Sequence, residues 1–415
     1  MSPAEQRIAT AEKGAAGPFS RLGLGVNEVL LVLMVVALSV QGPNLFAFGG
    51  MDFTLGHALV GAVGAAAVAR VLLAHARPVL PSASINVLLV VFAAITLVDT
   101  PAHGFGSTIL KYVFQYLVLV VALNLMVLVG GEKSERLVMA GAWIVLAIVL
   151  VNAVAHAGAF LEYYDHPWDG HPNYATIFSG GVNLEATWPA MLGVFCRNNR
   201  SGWTYLGITY VFGALTQSRA GLMLAVGAIV YVLLIKDAGR PALRRVLVVC
   251  AVAALAVVYT FYGPRAGSVR AAAESPVLEE ETLDPDAPQG IPGRRGIWMG
   301  SVEAFYDAPV LGYGAGNAMD AVRAVTGYPY HEDNVHNYPL QVLLDFGLVG
   351  LAVFAVVVVR FLVLGARAHF RSPFVAFVVL YLVGGMIQFK GGELLVGFAL
   401  AGLVAFGYDM LRERA

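Results

Sequence analysis

Charge is what this chain has least of. Asp, Glu, Lys and Arg together supply 13% of its 415 residues, while 58% are hydrophobic. A soluble domain carries about 25% charged residues, so this surface is not built for water, and the mean hydropathy of +0.73 agrees. Cysteine is nearly absent. Cys196 and Cys250 both sit in or beside apolar runs, which argues against a disulfide scaffold or a Cys-ligated metal site. The net charge of −1 gives no basic field for nucleic acid. Polar–apolar alternation is also missing, which removes a β-barrel.

What is there instead is a succession of long apolar runs, each able to cross ~30 Å of hydrocarbon. In lipid such runs must be helices, because only a helix or a closed barrel satisfies its own backbone. The expected fold is therefore all-α: a polytopic transmembrane helical bundle of about twelve spans. They fall at 22–41, 53–74, 79–98, 106–129, 137–160, 178–196, 203–218, 220–236, 244–263, 338–365, 373–389 and 391–410. The sixth holds Asn183, Glu185 and Pro189 and is expected to be broken. Residues 1–21, polar and without the short apolar core of a signal peptide, read as a cytoplasmic tail. The bundle of spans one to nine covers 22–263, a long loop covers 264–337, spans ten to twelve cover 338–410, and 411–415 form a second cytoplasmic tail.

Lys and Arg set the orientation. With the N-terminus inside, 18 of the 26 cations fall on cytoplasmic segments. The other eight are Lys111, Arg219, Arg265, Arg270, Arg294, Arg295, Arg323 and Lys390. They face outward and are the ones to explain. The long outer loop, from Pro264 to about Asn337, opens with basic residues and passes through an acidic stretch from Glu274 to Asp286 that reads as flexible. From 294 to 310, Trp298, Met299, Val302, Phe305 and Tyr306 take roughly helical spacing, which predicts a helix on or near the membrane surface.

Three constellations can carry chemistry. Ser218-Arg219-Ala220-Gly221 places a lone Arg in a tight outer turn. It either snorkels at a helix end or aims its planar fork at an anion. Gly293-Arg294-Arg295-Gly296-Ile297-Trp298 sets two guanidiniums ahead of a helix. They bind lipid headgroups or clamp a pyrophosphate, with Trp298 seating the helix. His336-Asn337-Tyr338-Pro339-Leu340 precedes the tenth span. Asn337 suits its N-cap and Pro339 its first turn, and the free N–H groups there attract an anion. His336 at that mouth titrates near neutrality when unperturbed, which suits a general base as well as a structural hydrogen bond.

Weaker signals surround these. Gly312-Tyr313-Gly314-Ala315-Gly316-Asn317 lacks the Lys-Ser/Thr of a nucleotide loop and reads as a flexible turn. Asp284-Pro285-Asp286 reads as solvated charge. His166/His171 and His331/His336 are spaced i, i+5 rather than the i, i+4 of a helical zinc pair, so no metal site is expected.

Taken in order, these motifs resemble the O-antigen ligase and polymerase superfamily of bacterial envelope glycosyltransferases. Thr216 to Gly221, Gly293 to Trp298, Asp307 to Asn317, His336 to Gln341 and the Leu344–Leu351 run carry the resemblance, over roughly 203–365. It implies an undecaprenyl-diphosphate-linked glycan as donor and chemistry without a cofactor or metal, at the periplasmic face of the inner membrane. For a ligase it implies a sugar hydroxyl of lipid A–core as acceptor. Arg219 and Arg294 match the family's arginines, Arg294 fitting better than Arg295 because it stands four residues before Trp298. His336 matches its histidine. On this reading Arg219 and Arg294, with Arg265 or Arg295, hold the diphosphate, and His336 takes the acceptor proton. Glu185, Glu332 and Asp333 are rival bases, each expected to be solvated or Arg-paired. An O-antigen polymerase shares the donor. A small-anion or solute transporter also fits the topology, but it wants charge spread along a path through the bundle.

Overall fold

A computed structural model describes residues 25–39, 44–48, 51–73, 90–91, 94–95, 108–165, 174–178, 182–236, 250–255, 293–330, 332, 334–367, 371–386 and 402. Its elements in chain order are α1 (Val26–Ser39), the hairpin β1 (Asn44–Phe48) and β2 (Met51–Thr54), α2 (Leu55–Leu73), α3 (Thr108–Val129), α4 (Gly131–Ala155) and α5 (Ala157–Asp165). They continue with α6 (Val182–Leu192), α7 (Arg200–Leu215), α8 (Arg219–Val230), α9 (Gly293–Asp307), α10 (Ala318–Thr326), α11 (Tyr338–Arg367) and α12 (Pro373–Gly385).

The described chain is mostly helical and apolar, as a membrane protein requires. Among the described residues, three stretches are long and apolar enough to cross a bilayer: Lys133–Ala155, Arg219–Lys236 and Tyr338–Arg360. Val26–Ser39, Leu55–Arg70, Phe114–Val129 and Pro373–Gly385 are shorter apolar helices. The expected spans at 79–98, 244–263 and 391–410 lie largely outside the described residues. One element departs from an all-helical expectation. The β1–β2 hairpin is antiparallel, and Phe46 and Phe53 stack across it at 4.9 Å.

Local chemistry explains two of the helix starts. Asn199 caps α7 by accepting from Gly202 N at 2.9 Å, and Ser218 caps α8 by accepting from Gly221 N at 3.1 Å, each satisfying a donor that a first turn leaves open. α8 runs on through a π-helical turn, Tyr231–Lys236. The sixth expected span is broken as read: α6 is eleven residues long, carries Pro189, and passes into a 3₁₀ turn at Gly193–Phe195.

Packing divides into two cores. The larger joins α1 to its neighbours α2, α3 and α4, and α8 to α6 and α7. An ion pair between Lys133 and Glu28 ties α4 to α1. α6 and α8 approach closely at Gly221, where a Cβ would stand 2.7 Å from that of Ala186. The smaller core lies among α9, α10 and the start of α11, around Ile297, Tyr313, Met319, Val322, Val335 and Leu344. The described part of the long loop therefore folds on itself and on α11.

That span is not the continuous helix the sequence predicts. α11 breaks at Gly347, whose φ of 61° and ψ of −165° interrupt it. The freed backbone groups are taken up by the segment just after α9. Leu344 O accepts from Tyr313 N and Asp345 O from Gly314 N, both at 2.8 Å; Leu348 N donates to Pro309 O at 2.9 Å and Val349 N to Val310 O at 3.2 Å. Gly312 and Gly347 meet back to back. A Cβ on Gly312 would lie 2.3 Å from Leu344 O, and one on Gly347 2.2 Å from Val310 O. The Gly312–Asn317 segment is thus a fitted plug for a broken helix. The flexible turn expected there is corrected, because its glycines supply close approach and left-handed backbone at 312, 314 and 316.

Candidate functional site

Arg219 opens α8 and Arg294 stands in the first turn of α9. Neither first turn contains an acidic residue. A cation at a helix N-terminus opposes the macrodipole, whose positive end lies there. Two such placements together concentrate positive potential.

The two arginines also act on each other. Arg294 is solvent-exposed, yet its neighbours remove enough water to lower its pKa from the ordinary value. Glu332 opposes that shift, and the Arg219 cation adds to it. A guanidinium keeps its proton under such a shift, so its effect is to raise the free energy of an unliganded charge. An anion shared by Arg219 and Arg294 relieves both repulsion and desolvation.

The third N-terminus belongs to α11. Asn337 caps it as the sequence predicts, accepting from Leu340 N at 3.1 Å, while its Nδ2 donates to Met386 O at 3.2 Å. His336, half-buried, holds a left-handed backbone at φ 56°, a conformation a β-carbon disfavours. Three side chains keep it there. Trp298 Nε1 donates to Val335 O at 2.9 Å, Val335 N donates to Gln341 Oε1 at 3.0 Å, and His336 N donates to Asn334 Oδ1 at 2.9 Å. Trp298 therefore ties the Arg294 helix to the residue before His336. Gln341 passes the restraint on, donating through Nε2 to Asp345 Oδ2 at 3.0 Å, while Asp345 Oδ1 accepts from Gly316 N at 3.2 Å. His336 is thus anchored to the plug of the α11 break.

A second non-glycine residue with positive φ flanks the site. Gln217, at φ 55°, immediately precedes Ser218 and Arg219. Strained backbone of this kind costs about 1–3 kcal/mol and persists where surrounding contacts impose it. Here the contacts are Gln217 N to Ala214 O and Ser218 N to Gly213 O, each at 3.0 Å.

The other residues singled out in the sequence fall differently. Arg295 shares the first turn of α9. Arg265, Arg270, Lys390, His166, His171, His331, Asp333 and the Asp284–Asp286 stretch lie outside the described residues. Arg323 is committed to structure: it pairs with Asp320 at 2.7 Å and donates to Tyr330 O and Glu332 O. That brace positions Glu332 beside Arg294. Glu185 is buried and, among the described residues, has no Arg partner, which corrects the expectation for it. It is fully buried, with Oε2 accepting from the Tyr174 hydroxyl at 2.6 Å. Burial and the Glu185 contacts push the Tyr174 pKa well above its ordinary value, so that hydroxyl stays a donor. Glu185 Oε1 accepts from Ile177 N, so the carboxylate is held against the segment before α6.

Asn334, Asp345 and the strain at Gln217 carry no motif in the sequence, and Gln341 stands there only as the end of one. The spacing of Gln341 and Asp345, i and i+4 on one helix face, was the available signal.

Comparison with known families matches residues 204–355 to the family described as O-antigen ligase. No curated protein matches the chain. The matched segment encloses Arg219, Arg294, Trp298, His336 and the α11 break.

Proposed function

We propose, from the match of residues 204–355 to the family described as O-antigen ligase, that this protein is a glycosyltransferase that moves an O-antigen glycan from undecaprenyl diphosphate to lipid A–core at the periplasmic face of the inner membrane. The observation that carries this reading is the placement of Arg219 and Arg294 at two helix N-termini, with the Arg294 helix tied by Trp298 to the residue before His336.

The chemistry follows from that layout. The acceptor hydroxyl oxygen attacks the anomeric carbon of the donor glycan. The bond from that carbon to the diphosphate oxygen breaks, and its electron pair leaves with the lipid diphosphate. Arg219 and Arg294 meet the negative charge that develops there, and fixed cations stabilise it without reorganising. The His336 imidazole takes the hydroxyl proton, its backbone held from three sides. Asn337 and the first turn of α11 add a positive helix end beside it. Trp298 serves by seating α9, and Arg265 and Arg295 are further candidates for the diphosphate.

The test is transfer in detergent with purified protein, undecaprenyl-diphosphate glycan and lipid A–core, wild type beside His336→Ala. A larger lipopolysaccharide-like product from wild type, lost in a variant that still folds and binds donor, is the expected result. Elongation of the glycan on its own carrier would instead identify a polymerase. No transfer from verified substrates would sink the enzyme reading and favour a transporter.

A further inference from the structure

At the far end of α8 from Arg219 lies a cleft with the opposite kind of lining from an ordinary loop surface. It encloses about 220 Å³ and is lined by Arg136, Arg197 and Lys236 with the single carboxylate of Glu135, and by Met139 and Trp143 among its apolar walls. Three cations against one anion leave a formal balance of +2. The apolar wall is rigid: Trp143 packs edge-on to Tyr205 at 5.1 Å, and Met139 Sδ meets Cys196 Sγ at 3.6 Å. Lys236 is fixed at the rim by donating to Val194 O and Phe195 O at 3.3 and 3.1 Å.

Its depth along the bundle matters. Arg219–Lys236 is one apolar stretch of 18 residues, about 26 Å at the helical rise, close to the ~30 Å thickness of hydrocarbon. The cleft therefore sits at the membrane boundary opposite the arginine site, where loop charge places the cytoplasm. Scattered cations at that boundary are ordinary. A concave site that joins three of them to an apolar wall is not.

We propose that this cleft binds the headgroup of an anionic phospholipid of the adjacent leaflet, its phosphate against Arg136, Arg197 and Lys236 and an acyl chain along Met139 and Trp143. Basic pockets between transmembrane helices hold phosphate-bearing headgroups in this way. A free phosphate would satisfy the cations but not the apolar wall, and this is why a lipid is the occupant.

The experiment compares thermal unfolding and native mass spectra of the full chain in detergent with added phosphatidylglycerol, phosphatidylcholine or inorganic phosphate. Phosphatidylglycerol alone should be retained and raise Tm. Arg136→Gln and Arg197→Gln should each lower its retention about fivefold while keeping the Tm seen in phosphatidylcholine. Glu135→Gln, which removes the repelling charge, should strengthen retention and guards against reading a folding defect as lost binding. Arg200→Gln, an exposed cation outside the lining, should change nothing. Equal effects of the two lipids, an equal shift from inorganic phosphate, or an Arg200→Gln loss matching the others would each overturn the proposal.

Discussion

Replacing Gln341 by Met keeps the side chain's length but removes both ends of a bridge. Val335 N loses the acceptor it holds at 3.0 Å, and Asp345 Oδ2 loses its donor at 3.0 Å. Val335 and Asp345 are both 0% exposed, so bulk water does not replace the lost partners. An unsatisfied buried group costs about 1–3 kcal/mol, and two cost about 2–6 kcal/mol. Even the lower figure is about 30-fold in the fraction of molecules that hold the His336 segment in place, at 1.4 kcal/mol per tenfold. Arg219 and Arg294 lie on other helices, so donor binding should survive. The expected signature is a kcat lower by about 30-fold or more with little change in donor KM, measured in the transfer assay at saturating acceptor. A Gln341→Met variant that folds normally and keeps wild-type kcat would refute the idea that this bridge positions His336.

Two further outcomes follow from the same geometry. Arg294→Lys keeps a cation but loses the planar fork, and the burial and Arg219 charge that lower the Arg294 pKa should hold the lysine below its usual ~10.4. Both effects act against the protonated form, so donor affinity in that variant should fall as pH rises toward that value, where wild type stays flat; a flat variant would contradict it. Gly347→Ala would set a Cβ 2.2 Å from Val310 O at φ +61°, a conformational cost of about 1–2 kcal/mol plus about 1–3 kcal/mol of overpacking. Its detergent melting temperature should drop clearly, while Gly207→Ala, in open space within α7, should melt at or above the wild-type temperature.

The site was legible where local chemistry carries it. Asn337 and Pro339 announce a helix start, and the structure has it there. Trp298 four residues after Arg294 reads as an anchor, and its indole does bind beside His336. The break at Gly347 was not legible, although Gly347, Gly350 and the alternating glycines at 312, 314 and 316 were in view. Periodicity reports which face of a helix is apolar, and that pattern continues across the break. What satisfies the interrupted backbone lies 31 to 39 residues upstream, as in Tyr313 N to Leu344 O and Leu348 N to Pro309 O, beyond the reach of any local pattern. The same holds for Glu185, where composition foresaw solvent or an arginine and the partner is Tyr174. The positive φ values of Gln217 and His336 carried no motif of their own, although bonds that hold them are short-range: Ser218 N to Gly213 O and His336 N to Asn334 Oδ1.

The plug under α11 also bears on how the chain is made. A ribosome delivers residues 309–316 before it delivers Tyr338–Arg367. An interrupted helix entering lipid alone would expose carbonyls and amides with nothing to bond, and that state is expensive. Here the complementary strip has already been synthesised when the helix that needs it arrives. Insertion and tertiary assembly of this segment are then coupled, and α11 is not completed without also building the ledge on which His336 stands.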